Sequence, residues 1–191
     1  CYPCNRELVE AFGGRVVLAP TNAASRYQLD VRTMTQVWTS STNAIVLATP
    51  SNPTGTTIPF DELVRICREA RARGAWRIVD EIYLSLADPN AGGRPARTAL
   101  ETDREVMIVS SFSKYFGMTG WRLGWLVLPD ELLAAADNLA VNFFLCASAP
   151  TQMAALACFT PEALASCEAR RVELVARRRI ALDGLKRIGL P

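Results

Sequence analysis

The run Ala44-Ile45-Val46-Leu47-Ala48 leads directly into Thr49-Pro50-Ser51-Asn52-Pro53-Thr54-Gly55, and this junction decides the fold. Five consecutive apolar residues predict a strand buried on both faces. The segment that follows is dense in turn formers. A helix comes next. Pro59 suits its first turn, and Asp61 and Glu62 favour its positive end. Phe60, Leu63, Val64 and Cys67 recur at helical spacing, Arg71 and Arg73 lie near the end, and Gly74 can close it. Residues 76–79 then read as a second strand ending at Asp80.

Working outward, the alternation continues. Residues 7–12 read as a helix stopped by Gly13-Gly14, and 15–19 as a short strand, followed by a polar stretch to about Ser41. Downstream, 106–109 form a strand ending at Ser110-Ser111, and 123–128 another. Pro129 opens a helix to about residue 143, and further helices cover about 150–159 and 161–188. Strands alternating with helices predict an α/β fold, a three-layer αβα arrangement with a largely parallel sheet. In such sheets, ligands gather beyond the carboxyl ends of the strands. Three polar clusters fall there: Ser51-Asn52, the residues from Asp80 to Tyr83, and those from Ser111 to Lys114.

Composition narrows the function classes. Of 191 residues, 50% are hydrophobic and 21% charged, which excludes a disordered chain. A net charge of +2 is too small a bias to suggest nucleic acid as a partner. No apolar run reaches the ~18 residues of a membrane span, and no targeting segment is visible, so a cytoplasmic location is expected. Histidine is absent, which excludes imidazole triads and His-ligated zinc. The six cysteines include one C-x-x-C, Cys1 to Cys4, with no second knuckle, so buried free thiols are expected and no metal. The chain opens on Cys1 in place of Met and stops at Pro191 just after a helical pattern, so a fragment of a longer protein is expected.

Lysine is rare: Lys114 and Lys186 stand against nineteen arginines. Lys114 sits in Ser110-Ser111-Phe112-Ser113-Lys114-Tyr115-Phe116-Gly117-Met118-Thr119-Gly120-Trp121-Arg122. The hydroxyls and Arg122 suit a phosphate, because a guanidinium matches phosphate oxygens with a fork of donors. A lysine beside that phosphate can condense with a carbonyl as a Schiff base.

Ser-x-Ser-Lys with Arg122 beyond it, and Asn52-Pro53-Thr54-Gly55 and Asp80-Glu81-Ile82-Tyr83 upstream, resembles the class I/II aminotransferases, pyridoxal-phosphate enzymes of fold type I. The resemblance implies that Lys114 carries the cofactor and then moves the proton at the substrate α-carbon. It implies that Asp80 pairs with the pyridine nitrogen and keeps it protonated, which makes the ring a better electron sink. Asn52 and Tyr83 resemble the two donors to the ring's phenolic oxygen. Ser111, Ser113 and Arg122 resemble the phosphate clamp, and Tyr2 the aromatic ring stacked on the cofactor. The catalytic group is therefore Lys114, Asp80 and Tyr83. The family often has a cis peptide before the proline matching Pro53.

The resemblance further implies amino acid and 2-oxo acid substrates and a homodimer, with the segment from Asn142 to Gln152 near its interface. Residues 1–160 match part of the cofactor-binding large domain, and 161–191 a long helix leading towards a small domain. The family's early phosphate-binding loop, partner-facing tyrosine and carboxylate-gripping arginine have no counterpart in this sequence, so the resemblance implies that the 191 residues alone are expected to be an incomplete enzyme. Two alternatives share the motifs: another fold type I reaction, such as β-elimination or decarboxylation, and an aminotransferase-like regulatory domain. Glu81 reads as a neighbour without a catalytic role. Arg170, Arg171 and residues 177–179 read as a solvated helix face.

Overall fold

The computed structural model describes residues 2–87 and 96–190. Its helices are α1 (Pro3–Ala11), α2 (Val31–Val37), α3 (Phe60–Ala72), α4 (Asp130–Phe144), α5 (Ala149–Ala157) and α6 (Pro161–Arg187). Its strands are β1 (Ala44–Ala48), β2 (Trp76–Asp80), β3 (Met107–Ser111) and β4 (Gly124–Val127), lying side by side in that order. β1 pairs with β2 in parallel, Ala48 opposite Asp80, and β2 with β3 in parallel, Asp80 opposite Val109. The α/β expectation holds. The chain divides into two compact units, Cys1–Ser110 with Trp125–Phe143, and Ser111–Gly124 with Phe144–Pro191.

In the first unit, the core is built where α2 and α3 meet the sheet. Met34 of α2 and Leu63, Ile66, Cys67 and Ala70 of α3 join Ile45, Leu47, Val79 and Ile108 of the strands in one buried cluster. The amphipathic spacing read in α3 is the cause: its apolar stripe faces β1 and β2. Gly74 closes α3 at φ +72, a left-handed conformation that a side chain would disfavour, with its N–H on Arg71 O.

Four local expectations are corrected. β1 is buried on one face only: Ile45 and Leu47 are covered, whereas Val46, which alternation along the strand places on the opposite face, is 40% exposed. Residues 15–19 form no strand: Val17 and Leu18 are exposed, and an extended segment without a ladder partner has nothing to pair its backbone. The polar stretch hides α2, whose N-cap Asp30 accepts a hydrogen bond from Thr33 N–H at 2.7 Å. Its β-branched composition and single buried residue, Met34, leave little periodicity to read. Glu62 does more than favour the helix dipole: it is buried, and its Oε1 accepts the Val31 N–H at 2.7 Å, tying α3 to the start of α2.

β2 carries a buried ion pair. Arg77, 5% exposed, donates from Nε and Nη2 to Asp103 Oδ2 at 3.0 and 2.6 Å, and from Nη1 to Ala75 O at 3.0 Å. Glu105 and Arg71 extend the network.

In the second unit, the turn after β3 is held by aromatic packing. Phe112 and Met118 pack with Ala155 of α5, flanked by Phe116, Leu123 and Cys158. The Phe112 ring lies 5.1 Å from Phe116 and 5.9 Å from Phe159, between centroids. Thr160 caps α6 by accepting Ala163 N–H. Cys4, Cys67, Cys146, Cys158 and Cys167 are free thiols, with Cys67 and Cys167 buried but Cys4 and Cys146 exposed. Cys1 lies outside the described residues.

Candidate functional site

Two groups of the residues singled out above sit at strand ends, one in each unit. In the first unit, β1 and β2 end side by side. Thr49 N–H donates to Asp80 O at 3.0 Å, so the turn that carries Asn52 leaves the sheet next to the turn that carries Tyr83. Asn52 Nδ2 donates to Tyr83 Oη at 3.4 Å. The Asn52 loop is closed by Ser51 N–H on Thr56 O at 2.9 Å and Gly55 N–H on Ser51 O at 2.7 Å. Gly55 takes φ +66, the backbone freedom its position in the motif suggests. The Thr49–Pro50 and Asn52–Pro53 peptides are both cis.

Asp80 Oδ1 accepts the Ile82 N–H at 3.0 Å. Burial pushes its carboxyl above the usual range, the Ile82 N–H opposes this in part, and no cation among the described residues contributes to offsetting it. A desolvated carboxylate at a strand end, without a cationic partner, fits a protonated ring nitrogen: the charge it needs is the charge that group brings. Glu81 points its carboxylate into the protein. It is 5% exposed and accepts Ala99 N–H at 2.6 Å, and burial raises it too. It anchors the segment that returns to the end of β2, a task that strand alternation hints at and sequence reading assigned to no residue. Tyr2, the N-cap residue of α1, is 47% exposed.

In the second unit, the 111–122 turn is braced by its own hydroxyls. Ser111 Oγ donates to Leu123 O at 3.2 Å and accepts Ser113 N–H at 2.9 Å. Thr119 Oγ1 donates to Ser113 O at 2.7 Å. Lys114 O accepts Gly117 N–H at 3.1 Å, which folds the chain tightly just after the lysine. Arg122 has left-handed backbone, φ 54 and ψ 53, and donates from Nη1 to Thr119 O at 3.0 Å. Rotation about the Ser111 Cα–Cβ bond would turn its hydroxyl from the backbone to a ligand.

Of the arginines read as a solvated helix face, Arg170 is exposed as expected, whereas the Arg171 side chain is only 12% exposed. From α6, Arg170 donates through Nη2 to Tyr115 O at 3.4 Å and to Cys167 Sγ at 3.0 Å, and its guanidinium lies against Gly117, so a side chain there would displace the end of Arg170. It is the φ of +70 at Gly117 that favours glycine there. Arg171 pairs with Glu168, and Arg177, exposed, with Glu173.

The model of the family described as "Aminotransferase class I and II" matches residues 2–191. The chain belongs to the class I and II aminotransferases. It is 39% identical to a valine–pyruvate aminotransferase of Mycobacterium tuberculosis over 99% of its length and 48% of that protein's. It is 32% identical to an arginine–pyruvate transaminase of Pseudomonas aeruginosa, over 92% of its length and 44% of that protein's. The crystal structure of an aminotransferase from Mycobacterium tuberculosis superposes with a TM-score of 0.93 at 39% identity, covering 98% of this chain and 48% of that one. Aspartate aminotransferase of Thermus thermophilus superposes at 0.90 with 29% identity, covering 100% and 49%. The fold is thus that of the fold type I aminotransferases, and members of the class I and II family depend on pyridoxal phosphate. The chain spans about half the length of these aminotransferase relatives.

Proposed function

We propose that the complete protein is an aminotransferase that moves an amino group between an amino acid and a 2-oxo acid at the residues described. The observation that carries this reading is the end of β2, where a desolvated Asp80 stands two residues from Ile82, its N–H donor, and Tyr83 receives the Asn52 amide. The names of the relatives favour transamination over elimination or decarboxylation, and favour pyruvate as the first acceptor to try.

Bound pyridoxal phosphate would supply an aldehyde that condenses with amines and a ring that accepts the electron pair of a substrate carbanion. The chain's own residues do the rest. Lys114 Nζ holds the aldehyde between turnovers, and once freed it takes and returns the proton at the substrate α-carbon. Asp80 holds a proton on the ring nitrogen through its charge. Asn52 and Tyr83 donate to the phenolic oxygen, and Ser111, Ser113 and Arg122 hold the phosphate. Tyr2 offers its ring face to the cofactor. Residues 1–160 belong to the cofactor-binding domain and 161–191 to the helix leading to the rest of the protein. A homodimer acting in the cytoplasm completes the proposal. Among the described residues, no helix is long and apolar enough to cross a membrane.

The test uses the full-length protein. Titration with pyridoxal phosphate, then borohydride reduction and peptide mapping, is expected to label Lys114. The Lys114→Ala variant is expected to bind cofactor weakly and to lose half-transamination by at least ~1,000-fold. A label on Lys186, or normal turnover by K114A, would sink the assignment. Release of pyruvate and ammonia from a cysteine conjugate, without a new amino acid, would point to a lyase.

A further inference from the structure

Gln28 lies on no regular element, and nothing in its sequence context marks it, yet it is 7% exposed. Its carboxamide Nε2 donates to Thr56 O at 2.5 Å and to Thr56 Oγ1 at 3.0 Å. Thr56 O is the same atom that accepts Ser51 N–H and closes the Asn52 loop. Thr56 Oγ1 in turn donates to Arg26 O at 2.8 Å and lies 2.9 Å from Thr54 Oγ1. The neck of the loop is therefore held from outside by one buried amide and by the turn that precedes it.

That turn is costly to form. Arg26 and Tyr27 both take left-handed backbone, φ 54 and 56, although neither is a glycine. A Cβ crowds the following carbonyl oxygen in this conformation, so each such residue is disfavoured. The strain is held by Tyr27 N–H on Asn22 O at 2.7 Å, Gln28 N–H on Ser25 O at 3.1 Å and Ser25 N–H on Asn22 Oδ1 at 3.2 Å. The chain then runs directly into Asp30, the N-cap of α2, whose first N–H groups are fixed by Asp30 and Glu62. Gln28 is thus anchored on both sides, and what it grips is the loop that delivers Asn52 to Tyr83.

We infer that Gln28 is a positioning residue for Asn52: by clamping Thr56, it sets the loop that aims the Asn52 amide at the Tyr83 hydroxyl. The inference rests on the proposed role of Asn52 and Tyr83 as donors to the cofactor's phenolic oxygen. A donor held in place stabilises that oxygen as an anion, and loss of aim acts like partial loss of the donor. A residue needed only for folding would change stability and leave the electronic state of the bound cofactor alone.

The experiment compares wild type, N52A and Q28M in the full-length protein, with Met chosen to keep volume while removing the donors. Visible absorption of the bound cofactor is followed against pH, and amide hydrogen exchange at Ser51 and Gly55 is measured in the cofactor-free protein. In N52A, the pH midpoint of the visible band is expected to move up. In Q28M, it is expected to move in the same direction by about half a pH unit, with cofactor affinity down about five-fold. Ser51 and Gly55 are expected to exchange faster in Q28M. If N52A shifts the midpoint and Q28M does not, the inference is overturned while the Asn52 assignment stands. If N52A leaves the midpoint in place, the Asn52 assignment fails and takes the inference with it. Unchanged exchange at Ser51 and Gly55 in Q28M overturns the clamp directly. Should Q28M not fold, Thr56→Val removes one acceptor of the clamp, and the same readings apply with a smaller shift.

Discussion

Asp80 ends β2 with its carboxylate withdrawn from water and an Ile82 N–H as its donor. Its folded pKa lies above the unfolded value of about 3.9. Between those two values the native state binds more protons than the unfolded one, so stability falls as pH rises through that window. The cost is absent below the unfolded value and fully present once the pH exceeds the folded one. Asp80→Asn keeps an acceptor for Ile82 and removes the charge. The cofactor-free protein is therefore expected to be more stable at pH 7 with D80N and unchanged near pH 3, while transamination falls at least ~100-fold. Thermal unfolding at the two pH values and single-turnover kinetics check both halves. Equal stabilisation at both pH values would mean that charge burial is not the cause. The motifs of the resemblance singled out Asp80, Asn52 and Tyr83 in the sequence, and the fold brings Asn52 onto Tyr83. Gln28 was not singled out, because a glutamine in a polar stretch carries no periodicity, and its importance lies in a contact with Thr56 that only the folded chain brings about.

Among the elements, β2 joins the core to the candidate site, and Arg77 is its least expected member. An arginine inside an apolar strand reads as a surface position, but both charges of the Arg77–Asp103 pair are buried, with side chains 6% exposed. Removing Arg77 leaves buried Asp103 with only the longer contact to the exposed Arg71, at 3.8 Å, as its counter-charge. Arg77→Met is expected to destabilise the protein by about 3–5 kcal/mol, whereas R77M combined with Asp103→Leu recovers most of that loss. A double-mutant cycle in urea measures it, and additive losses would show that the pair does not act as a unit. The longer elements were legible from their periods: α3, β2 and α6 fall within a few residues of expectation. Failures came where periodicity is short or ambiguous. Residues 15–19 have strand-like composition but no ladder partner, and α2 has seven residues and one buried contact. The apolar run of β1 signalled a strand correctly, yet composition cannot say whether one face or two is covered.

At the scale of the molecule, the two units spread the site motifs along the chain: Asn52, Asp80 and Tyr83 in one, Ser111, Ser113, Lys114 and Arg122 in the other. Much apolar surface lies open on α4 and α6, including Leu139, Phe143, Phe144, Val172 and Ile180, and the 27-residue α6 buries Cys167 alone. One residue ties local geometry to the fate of the whole protein. Arg122 holds a left-handed backbone between Gly120 and Gly124, where a glycine would sit without strain. Arg122→Gly is expected to raise the stability of the cofactor-free protein by about 1 kcal/mol and to weaken cofactor affinity about 10–100-fold, read by thermal unfolding and by titration. No change in affinity would remove Arg122 from the phosphate site. Two laboratory populations would then part at a single codon. One selected only for survival of heat would drift to glycine at 122, and one selected to grow on the amino acid it must process would hold arginine, so that codon would record which pressure had shaped the gene.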